Sequence, residues 1–223
     1  MQWRDEGYLL SKNNFNENSI IIEAFTLQHG KCSGIVYGGA SRKKKKNFQV
    51  GNKIMLFWNS KGENKSGYFN LELIKPVSPL FFDDKKRSIC ILSAVSILKI
   101  LLPERQINKK IYNSLEEFLN KFEDNDWIKL YIYWELSIIK ELGFEVNFLN
   151  DQKFISQTEK TIEINNKIFN IPRLLLDTDK IASSNFEVKE ALDFNKSLLM
   201  ENFIIPNNLR FPIPRNILEK YYS

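Results

Sequence analysis

Ser19-Ile20-Ile21-Ile22-Glu23-Ala24-Phe25-Thr26-Leu27-Gln28-His29-Gly30-Lys31-Cys32-Ser33-Gly34-Ile35-Val36-Tyr37 decides the fold. Its first eight residues are rich in β-branched and apolar side chains, which fit a pleated, half-buried surface. His29-Gly30 supplies a turn, and Lys31 to Tyr37 resumes as another strand. Working outward, Tyr8-Leu9-Leu10-Ser11 begins a short strand on the N-terminal side. On the other side, Gly38-Gly39-Ala40-Ser41 breaks the pattern. Lys53 to Trp58 is a fourth strand, Asn59 to Gly67 a loop, and the alternating Tyr68 to Ile74 a fifth. Five short strands in about 80 residues, with no amphipathic helix among them, predict a small closed barrel.

Pro76 and Pro79 mark the end of this region, and the period then becomes helical. Ile89, Leu92, Val95 and Ser96 keep helical spacing towards Leu102, where Pro103 stops the run. Ile111, Leu115, Phe118, Leu119 and Phe122 form a buried stripe. Asp126 is placed to cap a third helix through Trp127, Tyr131, Trp134, Ile138 and Leu142, with Gly143 in the left-handed terminal position. Thr161 to Phe169 reads as a hairpin around Asn165-Asn166, and residues 187–204 and 215–222 are helical again. The fold class expected is α+β: a five-stranded barrel over residues 1–80 and a mainly α-helical domain over 81–223.

Composition narrows the function. Hydrophobic residues make up 43% and charged residues 26% of the 223, which is globular rather than disordered. No apolar run approaches the ~18 residues of a membrane span, and the N-terminus lacks a signal-peptide core, so a cytoplasmic protein is expected. Cys32 and Cys90 are far apart and have only His29 to join them, so neither a zinc site nor a disulfide framework is expected. Residues 1–80 hold 12 Lys/Arg against 6 Asp/Glu, a net of +6, whereas residues 81–223 hold 20 against 21, a net of −1. An AT-rich coding sequence would enrich Lys, but it would do so in both halves. The asymmetry is the footprint of a polyanion-binding module attached to a near-neutral one.

Ser41-Arg42-Lys43-Lys44-Lys45-Lys46 concentrates that charge between two strands. Five adjacent cations repel one another and cannot be packed inside, so the run is either a solvated loop or a phosphate-binding patch. Gly38 and Gly39 let the backbone approach a phosphate, and Phe48, Phe57, Trp58, Tyr68 and Phe69 on adjoining strands offer faces for stacking, although each taken alone also reads as core. The DNA-binding residues expected are Arg42, Lys43, Lys44, Lys45, Lys46, Lys31, Trp58 and Tyr68. The GxxxxGK[ST] pattern of a nucleotide-binding loop is missing. Catalytic residues are not evident: the one histidine sits in a turn, Asp83-Asp84 and Asp124/Asp126 fall at helix starts where the dipole favours them, and residues 38–58 contain no acid for a two-metal nuclease. No cofactor is called for. Glu135, set between Trp134 and Leu136 on an apolar helix, needs a buried partner, and Arg105 is one cation available to it.

Several phrases resemble a known family. Trp3-Arg4-Asp5-Glu6-Gly7-Tyr8-Leu9-Leu10-Ser11, Glu23 to Lys31, and Gly38 to Lys43 followed by Phe48-Gln49-Val50-Gly51-Asn52 are similar to the N-terminal half of the RecO DNA repair proteins, most of all their alphaproteobacterial branch. Leu102-Pro103-Glu104-Arg105, Tyr112-Asn113-Ser114-Leu115 and Tyr131 to Leu136 ending at Leu142-Gly143-Phe144 resemble the helical half. The resemblance implies an OB-fold barrel, a helical domain, and a non-enzymatic recombination mediator that binds single- and double-stranded DNA and anneals complementary strands. It also implies work with RecR to load RecA onto DNA coated by single-strand-binding protein, whose acidic C-terminal tail docks on the helical domain. Some relatives carry a four-cysteine zinc site after the third helix; residues 145–185 here hold no cysteine, so no metal is expected. Many relatives have Arg where this chain has Tyr133, which leaves Lys129 and Lys140, with Tyr133 and Phe118, as the residues expected to receive the tail. An RNA-binding barrel without annealing activity is the alternative reading.

Overall fold

The computed structural model describes residues 2–41, 47–60, 67–144, 161–164, 167–176 and 184–223. They form two compact units, Met1–Tyr112 and Asn113–Ser223.

In the first unit, β1 (Gln2–Asn14), β2 (Ser19–Thr26), β3 (Gly30–Tyr37), β4 (Lys53–Asn59) and β5 (Tyr68–Lys75) close into a barrel in the order β1-β2-β3-β5-β4. The ring is antiparallel except at β3 and β5, which meet in parallel through Ile35 and Tyr68. β1 is longer than the short strand expected because it serves two neighbours. Gln2 to Tyr8 pair with β4 and Gly7 to Asn14 with β2, around an irregularity between Leu9 and Ser11. Such irregularities bend a strand and turn its two halves towards different partners. Leu9, Ile20, Ile22, Ala24, Val36, Phe48, Ile54, Leu56, Phe69 and Leu71 fill the interior.

A 3-10 turn (Ser78–Phe81) leads to α1 (Lys85–Leu101), capped by Asp84, whose carboxylate accepts from the Arg87 backbone N–H at 3.0 Å. α1 packs on β1 and belongs to the barrel's compact unit, which runs to Tyr112. Its buried face includes Cys90, Ile91, Ala94, Val95, Ile97 and Leu98, and Leu92 is exposed.

Gly30 holds the β2–β3 turn at φ +68°, and a Cβ there would lie 2.2 Å from the Gln106 carbonyl oxygen. The left-handed backbone alone costs a non-glycine residue about 1–2 kcal/mol, and the clash with backbone adds to it. Gly30→Ala is therefore expected to destabilise the protein by at least that amount. Thermal unfolding checks it: a variant as stable as the parent would show that the turn relaxes freely.

α2 (Lys109–Asn120) runs across the division. The second unit contains α3 (Trp127–Glu141), the hairpin β6 (Thr161–Ile164) and β7 (Lys167–Asn170), α4 (Arg173–Leu176), α5 (Asn185–Leu199), a π turn (Met200–Ile204) and α6 (Ile213–Lys220). The hairpin has the register expected, Ile164 opposite Lys167, although its turn residues lie outside the described residues. Asp126 precedes α3 but its side chain makes no capping bond, because its ψ of 23° departs from the extended backbone a capping side chain needs. Gly143 ends the helix at φ +102°, as expected. A capping box of Ser184 and Glu187 starts α5.

Candidate nucleic-acid interface

The expected phosphate contacts Arg42 to Lys46 lie outside the described residues. Both roots of the run are described, and both are anchored. At the N-terminal root, Gly38 turns at φ +66°, the Gly39 N–H donates to the Val36 carbonyl, and Gly39 sits so close to the Ile20 side chain that a Cβ would meet it at 2.6 Å. At the C-terminal root, Phe48 is buried in the barrel, and its carbonyl accepts from the Lys12 ammonium at 2.7 Å. Asn52, fully buried, ties this root to the rest of the unit. Its amide donates to the Asn47 carbonyl, its side-chain oxygen accepts from Val77 and Ser78, and its own carbonyl accepts from Leu9. Buried polar groups satisfied in this way rigidify what they join. The five consecutive cations thus depart from fixed points on the barrel.

The other expected contacts separate on inspection. Lys31 is buried, and its ammonium donates to the Lys99 carbonyl near the end of α1 at 2.8 Å, so it is a structural cation rather than a ligand contact. Trp58 is half-buried and packs against the barrel interior. It pairs with Trp3 on β1 and Phe69 on β5, on the same side of the sheet as Ile54 and Leu56. Its ring lies 4.7 Å from Phe69 and fills the space in front of Gly34 and Gly67. Two glycines in contact with one indole are the mark of a packed ring. Tyr68, by contrast, is exposed, as is Tyr37, which sequence reasoning missed. Tyr37 follows Ile35 by two residues on β3, but a single aromatic at the end of a strand carries no signal of its own.

His29 is a turn residue, as expected, with an unforeseen role. Its ring stacks on Trp3 at 3.9 Å and 11°, and its Nδ1 lies 2.9 Å from the buried Asp5 carboxylate. The same carboxylate oxygen accepts from the backbone N–H groups of Gln28 and His29. Asp5 therefore organises the β2–β3 turn. Burial pushes the Cys32 thiol up to about 11, so it stays protonated and unreactive at neutral pH. Among the described residues, no three His, Cys, Asp or Glu side chains converge as a metal site would require, and no helix is long and apolar enough to cross a membrane.

In the helical unit Lys140 is exposed and Lys129 half-buried on α3, and the Tyr133 hydroxyl donates to the Leu174 carbonyl at 2.9 Å. Phe118 is buried and stacks on Trp134 at 5.4 Å, which makes it core rather than the lining of an open groove. Glu135 is fully buried, and its partner is Arg215 of α6, not Arg105. Its Oε1 accepts from Arg215 Nε at 2.7 Å and the Tyr131 hydroxyl at 2.9 Å; its Oε2 accepts from Arg215 at 3.1 Å and the Asn195 amide at 3.0 Å. Burial works against the guanidinium charge, but the Glu135 carboxylate outweighs it and holds Arg215 above its ordinary range.

Comparison with known proteins agrees with this architecture. A family model described as "Recombination protein O N terminal" matches residues 1–77, and one described as "Recombination protein O C terminal" matches residues 83–157. A curated "DNA repair protein RecO" from Ehrlichia chaffeensis is 32% identical over 216 residues, covering 89% of this chain and 86% of that protein. The chain belongs to the RecO family. RecO proteins of Cereibacter sphaeroides and Wolbachia pipientis are 34% and 31% identical over 145 and 149 residues; those matches cover 60% and 61% of the relatives' length. The N-terminal family model ends at residue 77, just beyond β5, so the barrel and the RecO N-terminal region coincide.

Proposed function

We propose that this RecO-family chain is a cytoplasmic, non-enzymatic recombination mediator. It binds single- and double-stranded DNA through the barrel, anneals complementary strands and, with RecR, helps to load RecA onto DNA coated by single-strand-binding protein. The observation that carries the reading is a closed five-stranded barrel with five consecutive cations held between two anchored roots, in a chain of this family. Phosphate contacts from Arg42 to Lys46 supply affinity without sequence preference, as annealing of arbitrary complements requires. Residues 81–223, with a net charge of −1, suit a protein partner better than DNA. Lys140 and Lys129 on α3, beside Tyr133, are proposed to pair with the carboxylates of the acidic tail of single-strand-binding protein.

The test is annealing of complementary oligonucleotides coated with single-strand-binding protein, with and without the chain. Annealing that speeds up severalfold, with no nucleotide hydrolysis and no strand cleavage, is the expected result. DNA-independent binding to structured RNA, with no acceleration of annealing, would replace this reading with that of an RNA-binding barrel.

A further inference from the structure

Most of the aromatic rings on the barrel strands are committed to packing. Tyr8 and Phe25 pack on Tyr112; Trp3, Trp58 and Phe69 pack on one another inside the ring. Tyr37 and Tyr68 pack on each other at the barrel surface. They are 57% and 38% exposed, and their centroids lie 5.6 Å apart with the planes tilted by 59°. They come from β3 and β5, at the seam where the barrel closes through Ile35 and Tyr68. Tyr37 immediately precedes Gly38 and stands five residues before Arg42, at the N-terminal root of the basic run. Gly39 of the same root lines a cavity of about 310 Å³, together with Lys12, Asn13, Asn14, Ile20 and Phe48.

We infer that Tyr37 and Tyr68 form a stacking platform for unpaired nucleobases, which adds single-strand affinity to the phosphate binding that duplex DNA shares; this rests on the DNA-binding reading above. The charge of residues 1–80 sets the occupant as a polyanion, and a pair of exposed rings sets it as a polyanion with flat apolar faces. In a duplex those faces are already stacked on neighbouring bases, whereas in a single strand they are open to an aromatic side chain. The geometry also fixes the mode. A base inserted between two rings needs them parallel and about 7 Å apart, twice the optimal carbon–carbon spacing. These rings are tilted and closer, so each takes a base on its outward face and successive bases step from one to the other. The backbone then runs past the root of the basic segment, where the Asn13 and Asn14 amides line room for sugar and phosphate. Because every base has a π-face, the platform keeps the binding independent of sequence.

The experiment titrates the full chain with labelled oligothymidine of about 20 nucleotides, a duplex of the same length, and an abasic strand. The variants are Tyr37→Ala/Tyr68→Ala and Tyr37→Phe/Tyr68→Phe. Loss of both rings is expected to weaken oligothymidine binding roughly 30–100-fold, about tenfold for each ring. Duplex affinity should stay within about twofold, and the Phe pair should bind as the parent does. The parent's preference for oligothymidine over the abasic strand should vanish in the Ala pair; this ratio is insensitive to a partial loss of folded protein. Unchanged oligothymidine binding, or equal losses on single strand and duplex, overturns the platform while leaving DNA binding in place. A parent that binds none of the three DNAs overturns the DNA-binding reading itself. An oligouridine arm tells RNA from DNA; equal affinity for both assigns the platform to any single strand.

Discussion

Arg215→Met is expected to destabilise the helical unit by about 3–5 kcal/mol, the range for removing one partner of a buried ion pair. The reason is what remains behind. Glu135 is fully buried, and it accepts four hydrogen bonds, two of them from Arg215. Without the guanidinium, a carboxylate stays in an apolar interior with only the Tyr131 hydroxyl and the Asn195 amide to solvate it. The Leu192 carbonyl, which accepts from Arg215 at 2.7 Å, also loses its donor. For a unit of this size the loss corresponds to a fall in melting temperature on the order of 15 °C. Glu135→Leu/Arg215→Met should recover much of it, because removing both charges removes the uncompensated one. Recovery will be incomplete, since Tyr131 and Asn195 then lack their acceptor. If the single variant melted within about 3 °C of the parent, or the double variant were worse than the single, the pair would not be what joins α6 to α3 and α5.

This pair shows where sequence reading stops. That Glu135 needs a partner follows from its apolar neighbours. Which cation answers does not, because Arg215 lies 80 residues away and only the packing of α3 against α5 and α6 brings it in. A trace was present: Arg215, Leu218 and Tyr222 share one helical face, and all three are buried, so the arginine was marked as inward by its neighbours. The barrel was more legible, because alternation and turn residues are local properties. β2, β3, β4 and β5 match the expected strands within a residue or so at each end, whereas the extent of β1 depended on pairing with two neighbours at once.

Candidate site residues divide along the same line. Trp58 was legible in principle, since Ile54, Leu56 and Trp58 alternate onto the face that also carries Leu71 and Phe69 through cross-strand pairing. Lys31 was not. A lysine on a strand beside a turn looks exposed until a helix from 68 residues later presents its carbonyl. Tyr37 needed the barrel to be closed before its neighbour on β5 was known. Local patterns gave the elements, and chain closure decided which faces of them remain available to a ligand.

The last expected result concerns the five consecutive cations. Replacing Arg42, Lys43, Lys44, Lys45 and Lys46 together with glutamine should weaken binding to every DNA sequence and flatten the dependence of log affinity on log salt by roughly 3–4 units. Each neutralised phosphate releases its condensed counterions and contributes about 0.7 for single strands or 0.9 for duplex DNA, so roughly four or five contacts account for a slope of that size. Between 50 and 200 mM salt, the parent's advantage over the variant should therefore shrink by about 60–250-fold. Folding should be unaffected, because the barrel is held by its interior and by Asn52. The same variant separates the two contributions to binding. Loss of the cations lowers single-strand and duplex affinity together, since both offer phosphates, while loss of Tyr37 and Tyr68 lowers only the first. A slope equal to the parent's would mean that the five cations stay solvated when DNA binds, and that the barrel's remaining positive charge holds the phosphates instead.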